Sequence, residues 1–90
     1  MPYINQDRRT PLDTGAATPQ TSGELNYLLT KAAIDYALEH GFSYAIFNDV
    51  IGALGGAKQE FYRRLVAPYE DNKIVENGDV YPELWMGTRR

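Results

Sequence analysis

Two long stretches of the chain repeat apolar residues at the three- and four-residue spacing of an α-helix. In the first, Thr21 and Glu24 form a capping-box pattern, and His40 followed by Gly41 is typical of a helix end. We therefore predict a helix over residues 22–40. Its apolar stripe consists of Leu25, Leu28, Leu29, Ala32, Ala33, Tyr36 and Ala37.

The second stretch begins behind Ser43, a suitable N-cap, and continues to about residue 67, because Pro68 disfavours helix at the residue before it. The pattern keeps one phase through Gly55 and Gly56, which favours one continuous helix over two helices hinged at Gly55. Both interpretations stay open. The stripe consists of Phe47, Val50, Ile51, Leu54, Ala57, Phe61 and Leu65.

The remaining segments are shorter. The connection at residues 41–43 is short enough to predict an antiparallel helical hairpin. Pro68, followed by two acidic residues, predicts a third helix at about residues 69–76. Prolines and threonines in residues 1–20 predict an extended arm, unless this segment is a frayed terminus. Residues 82–90 are predicted to be a tail anchored by Trp85, and the whole chain a single all-α domain.

Composition narrows the possible functions. The chain has 90 residues, no cysteine and one histidine, so we predict no disulfide, no metal site and no cofactor. A domain this short buries only about 60–65% of its unfolded surface, and we therefore expect a homo-oligomer. The net charge of −3 argues against binding to long nucleic acids. No apolar run is long enough for a membrane span and no secretory signal is evident, so a cytoplasmic location without membrane contact is expected.

Gly52 and Gly56 lie on the side of the second helix that faces away from its apolar stripe. Glycine inside a helix costs roughly 1 kcal/mol relative to alanine, so their presence needs a reason. We predict that the groove they leave is the interface of a symmetric dimer. Packing against the chain's own arm or third helix, and direct contact with a ligand, remain open as alternatives.

A basic and aromatic cluster follows the glycines. Arginine grips phosphate and carboxylate groups with two parallel hydrogen bonds, and tyrosine rings can stack on a base. We predict that this cluster binds a small anionic, nucleotide-like ligand. Alternatively, Glu60 pairs with Arg63 and Arg64 in ordinary helix salt bridges. The predicted ligand-binding residues are Lys58, Tyr62, Arg63, Arg64 and Tyr69. In the N-terminal segment, Arg8 and Arg9 could also reach a partner.

We predict no catalytic residues. A single histidine in the last turn of a helix supports no Ser-His-Asp arrangement, and the adjacent Glu70 and Asp71 are explained by a helix N-terminus. Gly52, Gly55 and Gly56 follow no strand and precede no Gly-Lys-Ser/Thr, so they do not form a phosphate-binding loop. We therefore expect a non-enzymatic protein.

Several segments of residues 20–81 resemble a family of small uncharacterised proteins of tailed bacteriophages and prophages. They are Gly23-Glu-Leu-Asn-Tyr27, Asn48-Asp-Val-Ile-Gly-Ala-Leu54, Glu60-Phe-Tyr-Arg-Arg64, Ala67-Pro-Tyr-Glu-Asp71 and Glu76-Asn-Gly-Asp-Val-Tyr81. The resemblance implies no activity. It does imply a setting, the cytoplasm of a bacterial host, in which small phage proteins neutralise host defence. We accordingly expect an accessory protein that sequesters a nucleotide-like signalling molecule in a homo-oligomer. The alternatives are a module that inhibits a host protein and a structural phage component.

Overall fold

The computed structural model describes residues 1–82, and within that range every regular element is helical. The elements are α1 (Gln6–Asp13), α2 (Ser22–His40), α3 (Tyr44–Phe61), a π-helical segment (Tyr62–Val66) and α4 (Ala67–Asn77). The predicted all-α class is therefore confirmed. The predicted tail with its Trp85 anchor lies, from residue 83 onward, outside the described residues.

The bounds of α2 agree with the predicted range of residues 22–40. Its N-terminus is capped by the Thr21 hydroxyl, which accepts a hydrogen bond from the Glu24 N–H at 3.1 Å. Gly41 ends the helix with a φ of 94°, a value in the left-handed region that favours glycine. The Glu24 carboxylate, however, does not bond back to Thr21. It accepts a hydrogen bond from the Gln20 N–H at 3.0 Å, which leaves it turned towards the N-terminal segment.

The N-terminal segment is not the predicted extended arm, because residues 6–13 form α1. The Asn5 side chain caps this helix by accepting a hydrogen bond from the Asp7 N–H at 3.0 Å. Pro11 lies inside α1 and removes the N–H that would bond to the Asp7 carbonyl, so propensity alone argues against a helix here. Packing against α2 overrides that propensity: Leu12 is only 3% exposed, the lowest value among the buried apolar residues.

The α-helix α3 passes through Gly55 and Gly56 without a break, so the continuous interpretation is confirmed. It ends as an α-helix at Phe61, before the predicted residue 67, and the π-helical segment continues it to α4 without a gap. Pro68 explains this change of helix type. In a regular α-helix its ring would clash with the Arg64 carbonyl, and the π-helical turn instead bonds the Ala67 N–H to the Tyr62 carbonyl.

The chain divides into two compact units, Met1–Gly52 and Ala53–Arg90. The buried apolar residues of the described chain are Leu12, Tyr27 and Ala37, and all three belong to the first unit. Of the two predicted apolar stripes, only Ala37 is buried in the described chain. In α2, Leu25 and Leu29 are 50% and 48% exposed. At the connection between α2 and α3, the Tyr36 hydroxyl donates to Asp49 at 3.1 Å, but the first turns of α3 bury no apolar side chain.

Candidate functional site

The five residues predicted to bind a ligand all belong to the second unit and surround the π-helical segment. Lys58 lies in the last turn of α3, Tyr62, Arg63 and Arg64 form the π-helical turn, and Tyr69 lies near the start of α4. Segments of π-helix often occur at functional sites, because they redirect side chains relative to an α-helix. This π-helical segment also has a structural cause, because the ring of Pro68 would clash in a regular α-helix.

Three of the five predicted residues already contact a neighbouring side chain. Arg63 forms an ion pair with Glu60 at 2.6 Å, and both side chains are more than half exposed. The Tyr62 hydroxyl donates a hydrogen bond to the Glu70 carboxylate, which raises the pKa of the tyrosine. The Lys73 ammonium lies over the Tyr69 ring, 5.5 Å from its centre. The salt-bridge alternative is thus correct for Arg63.

The other two predicted residues, Lys58 and Arg64, make no ion pair with any of residues 1–82. An open cleft of about 500 Å³ in this unit is lined by Tyr62 together with Glu70, Lys73 and Tyr81, and the other four predicted residues lie outside it. The second unit therefore presents the predicted ligand residues as an exposed helical surface.

The glycine groove of α3 is open within the described chain. A Cβ atom added to Gly52, Gly55 or Gly56 would meet no atom within 4 Å. This face of α3 is therefore open at all three glycines, and the use of the groove stays a prediction.

A partly buried ionic contact joins α1 to α2 in the first unit. The Arg8 guanidinium donates to both oxygens of Glu24, at 2.9 and 2.8 Å, and the Gln20 N–H adds a third hydrogen bond. Glu24 is 8% exposed. The Arg8 hydrogen bonds, assisted by the Gln20 N–H, lower the pKa of the Glu24 carboxyl from 4.5 to about 2. This contact holds the N-terminal segment against the first turn of α2.

A second contact lies beside it. The Arg9 guanidinium donates through Nε and Nη2 to the Ile4 carbonyl, at 3.1 and 3.0 Å, and lies 5.7 Å from the centre of the Tyr27 ring. The Tyr27 hydroxyl donates to the Asp13 carboxylate at 2.9 Å. Burial raises the pKa of Tyr27, and the hydrogen bond to Asp13 adds to the effect. Arg9 and Tyr27 are thus each held by two neighbouring groups, as side chains at a preorganised site are.

These contacts border a cleft of about 280 Å³ between the N-terminal segment and α2. Two cationic side chains, Arg9 and Lys31, line it together with the aromatic rings of Tyr3 and Tyr27. This cleft is not among the sites predicted from the sequence. Its one signal was the adjacent Arg8 and Arg9 in a segment assigned to an arm, since α1 and its packing on α2 were not foreseen.

Among residues 1–82, no group of three His, Asp or Glu side chains is arranged to hold a metal ion. No helix in that range has both the length and the apolar character that crossing a membrane requires.

Comparison with curated proteins and with solved structures gives no match. A family model does match, and it covers residues 1–80. The match begins at residue 1, so it includes α1 and the cleft, although the resemblance seen in the sequence left the first twenty residues outside. The chain belongs to the family described as "Domain of unknown function (DUF6899)".

Proposed function

We propose that the protein is a non-enzymatic helical interaction module whose α3 pairs with α3 of a second copy. The observation that carries this proposal is the exposure of large apolar side chains along one stripe of α3. Phe47 is 47% exposed, Ile51 68%, Leu54 40% and Phe61 61%. A stripe of this kind on a helix normally packs against another element.

The weak intrinsic stability of α3 supports the same proposal. A helix of 18 residues with three glycines in its interior has weak intrinsic stability, and most helical stability in proteins comes from packing of an apolar face. Within the described chain, no residue of α3 is fully buried. Pairing with another helix would supply the missing packing, at roughly 25 cal/mol for each Å² of apolar surface removed from water.

The arrangement of the stripe favours a second copy of this chain as the occupant. Two pairs of its positions are symmetric about Leu54, since Phe47 and Phe61 are each seven residues away, and Ile51 and Ala57 each three. In an antiparallel pair of α3 helices related by a two-fold axis at Leu54, Phe47 of one copy would oppose Phe61 of the other. Such self-complementarity is what an isologous dimer interface requires.

Light scattering on the wild type and two matched variants tests the proposal. Leu54→Glu places a charge at the centre of the stripe, and Gln59→Glu places the same charge about 140° around the same helix. We expect a dimer or larger assembly for the wild type and for Gln59→Glu, and a smaller species for Leu54→Glu. A wild type that is monomeric at all concentrations, or equal masses for the two variants, would contradict the pairing.

A second candidate function depends on such an assembly. Lys58 and Arg64 have no ion-pair partner among residues 1–82, so their charges are available to a ligand brought between subunits. Together with the phage resemblance, this supports sequestration of a nucleotide-like host signal as an anti-defence activity. Calorimetric titration with cyclic nucleotides and ADP-ribose derivatives tests it. Saturable heat that Arg64→Gln abolishes is the expected result, and the absence of heat from a folded assembly would exclude it.

A further inference from the structure

We infer that the cleft between the N-terminal segment and α2 is a binding site for a small organic anion, one that carries a single phosphate or carboxylate on a ring. The site is independent of the proposed pairing through α3, because every residue that lines the cleft lies between Pro2 and Ile34 and none belongs to α3.

The positive charge of the cleft favours an anionic ligand. Arg9 and Lys31 both line it, and its lining in the described chain includes no acidic residue. The Lys31 ammonium forms no salt bridge with any of residues 1–82. Arg9 uses two of its five N–H donors on the Ile4 carbonyl, so three N–H groups remain for a ligand.

Arg9 is held in place before any ligand arrives. The Ile4 carbonyl fixes one edge of the guanidinium, and the Tyr27 ring, which is only 8% exposed, lies beneath it. Tyr27 is itself anchored to Asp13 through its hydroxyl. A preorganised donor loses little conformational entropy when it binds a ligand. Arg9 differs in this respect from an arginine that is mobile on the surface.

The apolar residues that line the cleft favour a ligand that contains a ring. Tyr3 and Ile34 line the cleft and remain 77% and 43% exposed, so their apolar surfaces are available for contact. The volume of about 280 Å³ is near the lower end of ligand pockets, which span roughly 300–1,000 Å³. A ligand with one ring and one anionic group therefore fits this cleft better than a polyanion does.

Phenyl phosphate is the smallest probe that joins these two features. We would titrate it into the ¹⁵N-labelled full chain and follow the amide resonances by NMR, with inorganic phosphate and benzyl alcohol in parallel titrations. Saturable shifts in residues 2–4, 9 and 27–34, at lower concentrations of phenyl phosphate than of either fragment, are expected. No saturation in the millimolar range, or equal affinity for inorganic phosphate, would overturn the inference.

Two lysine variants locate the site. Lys31→Gln removes a cleft charge without touching the contacts of Arg9, and we expect it to weaken binding about 10-fold or more, as loss of a charge-assisted hydrogen bond does. Lys73→Gln, the matched control, removes a lysine charge that does not line the cleft and should leave the affinity unchanged. Equal weakening by both variants would show non-specific attraction and overturn the site. Circular dichroism establishes that both variants are folded.

Discussion

Gly23 and Gly52 both lie inside helices, yet only Gly23 has another part of the chain against it. A Cβ atom at Gly23 would lie 3.3 Å from the Met1 carbonyl oxygen and 3.6 Å from the Ile4 side chain, whereas at Gly52 it would meet nothing within 4 Å. The junction of α1 with α2 is therefore packed within one chain. The helix α3 presents both its apolar stripe and its glycine face to its surroundings.

The ionic contacts of the two regions differ in the same way. Glu24 accepts three hydrogen bonds and is 8% exposed, while Glu60 accepts one from Arg63 with its side chain 61% exposed. Exposed pairs contribute about 0–1 kcal/mol because water and salt screen them. The comparison teaches that the contacts of α1 with α2 bury side chains within one chain, whereas no residue of α3 is buried in the described chain.

The largest expected effect compares a buried leucine of the first region, Leu12, with an exposed leucine of α3, Leu54. Leu12→Ala should lower the free energy of unfolding by about 2–5 kcal/mol, because it removes a buried side chain and leaves a cavity. Its effect should not depend on protein concentration. Leu54→Ala should have an effect that grows with concentration, since a contact between copies stabilises by mass action. Urea unfolding at two protein concentrations measures both, and an effect of Leu54→Ala that ignores concentration would contradict the comparison.

A pH-dependent effect should come from the first region. The folded-state pKa of Glu24 is about 2, below its ordinary value of 4.5, so its contribution to stability is present above about pH 4.5 and is lost as pH falls towards 2. Urea unfolding at about pH 6 and about pH 3 should show a larger loss for the wild type than for Glu24→Gln. Equal losses in the two proteins would mean that the Arg8 contact does not stabilise the fold.

The smallest expected effect compares the glycines. Gly52→Ala or Gly56→Ala should stabilise α3 by about 1 kcal/mol, because alanine favours helix and nothing in the described chain obstructs its Cβ. Gly23→Ala should gain less, since the Met1 carbonyl oxygen must move. Thermal unfolding ranks the three variants. If Gly52→Ala also reduces the mass of the assembly, the glycine face is an interface as the sequence suggested.

The predicted helices were the most accurate part of the sequence analysis, because their signals are local. Thr21 caps α2, Gly41 ends it, and the Ser43 hydroxyl accepts the Ile46 N–H at 3.3 Å at the start of α3. The helix α1 escaped prediction because its stability comes from contacts with α2 that lie far away in sequence. Pro11 masked it further, since proline is a strong local argument against helix.

The candidate sites were harder to predict for the same reason. The cluster from Lys58 to Tyr69 was recognisable by composition, but composition does not show that Glu60 and Glu70 already engage Arg63 and Tyr62. The cleft at Arg9 and Lys31 joins residues more than twenty positions apart, and nothing in their local pattern links them. Only the packing of α1 on α2 explains why they meet.

Cysteine cross-linking tests the pairing of α3 most directly, because the chain contains no cysteine of its own. In an antiparallel pair centred on Leu54, the two copies of residue 54 would lie within the roughly 4.4–6.8 Å between Cα atoms that a disulfide needs. We predict that Leu54→Cys forms a covalent dimer on mild oxidation and that Gln59→Cys, on the other side of α3, does not. A Leu54→Cys protein that stays monomeric, or equal cross-linking at both positions, would contradict the account.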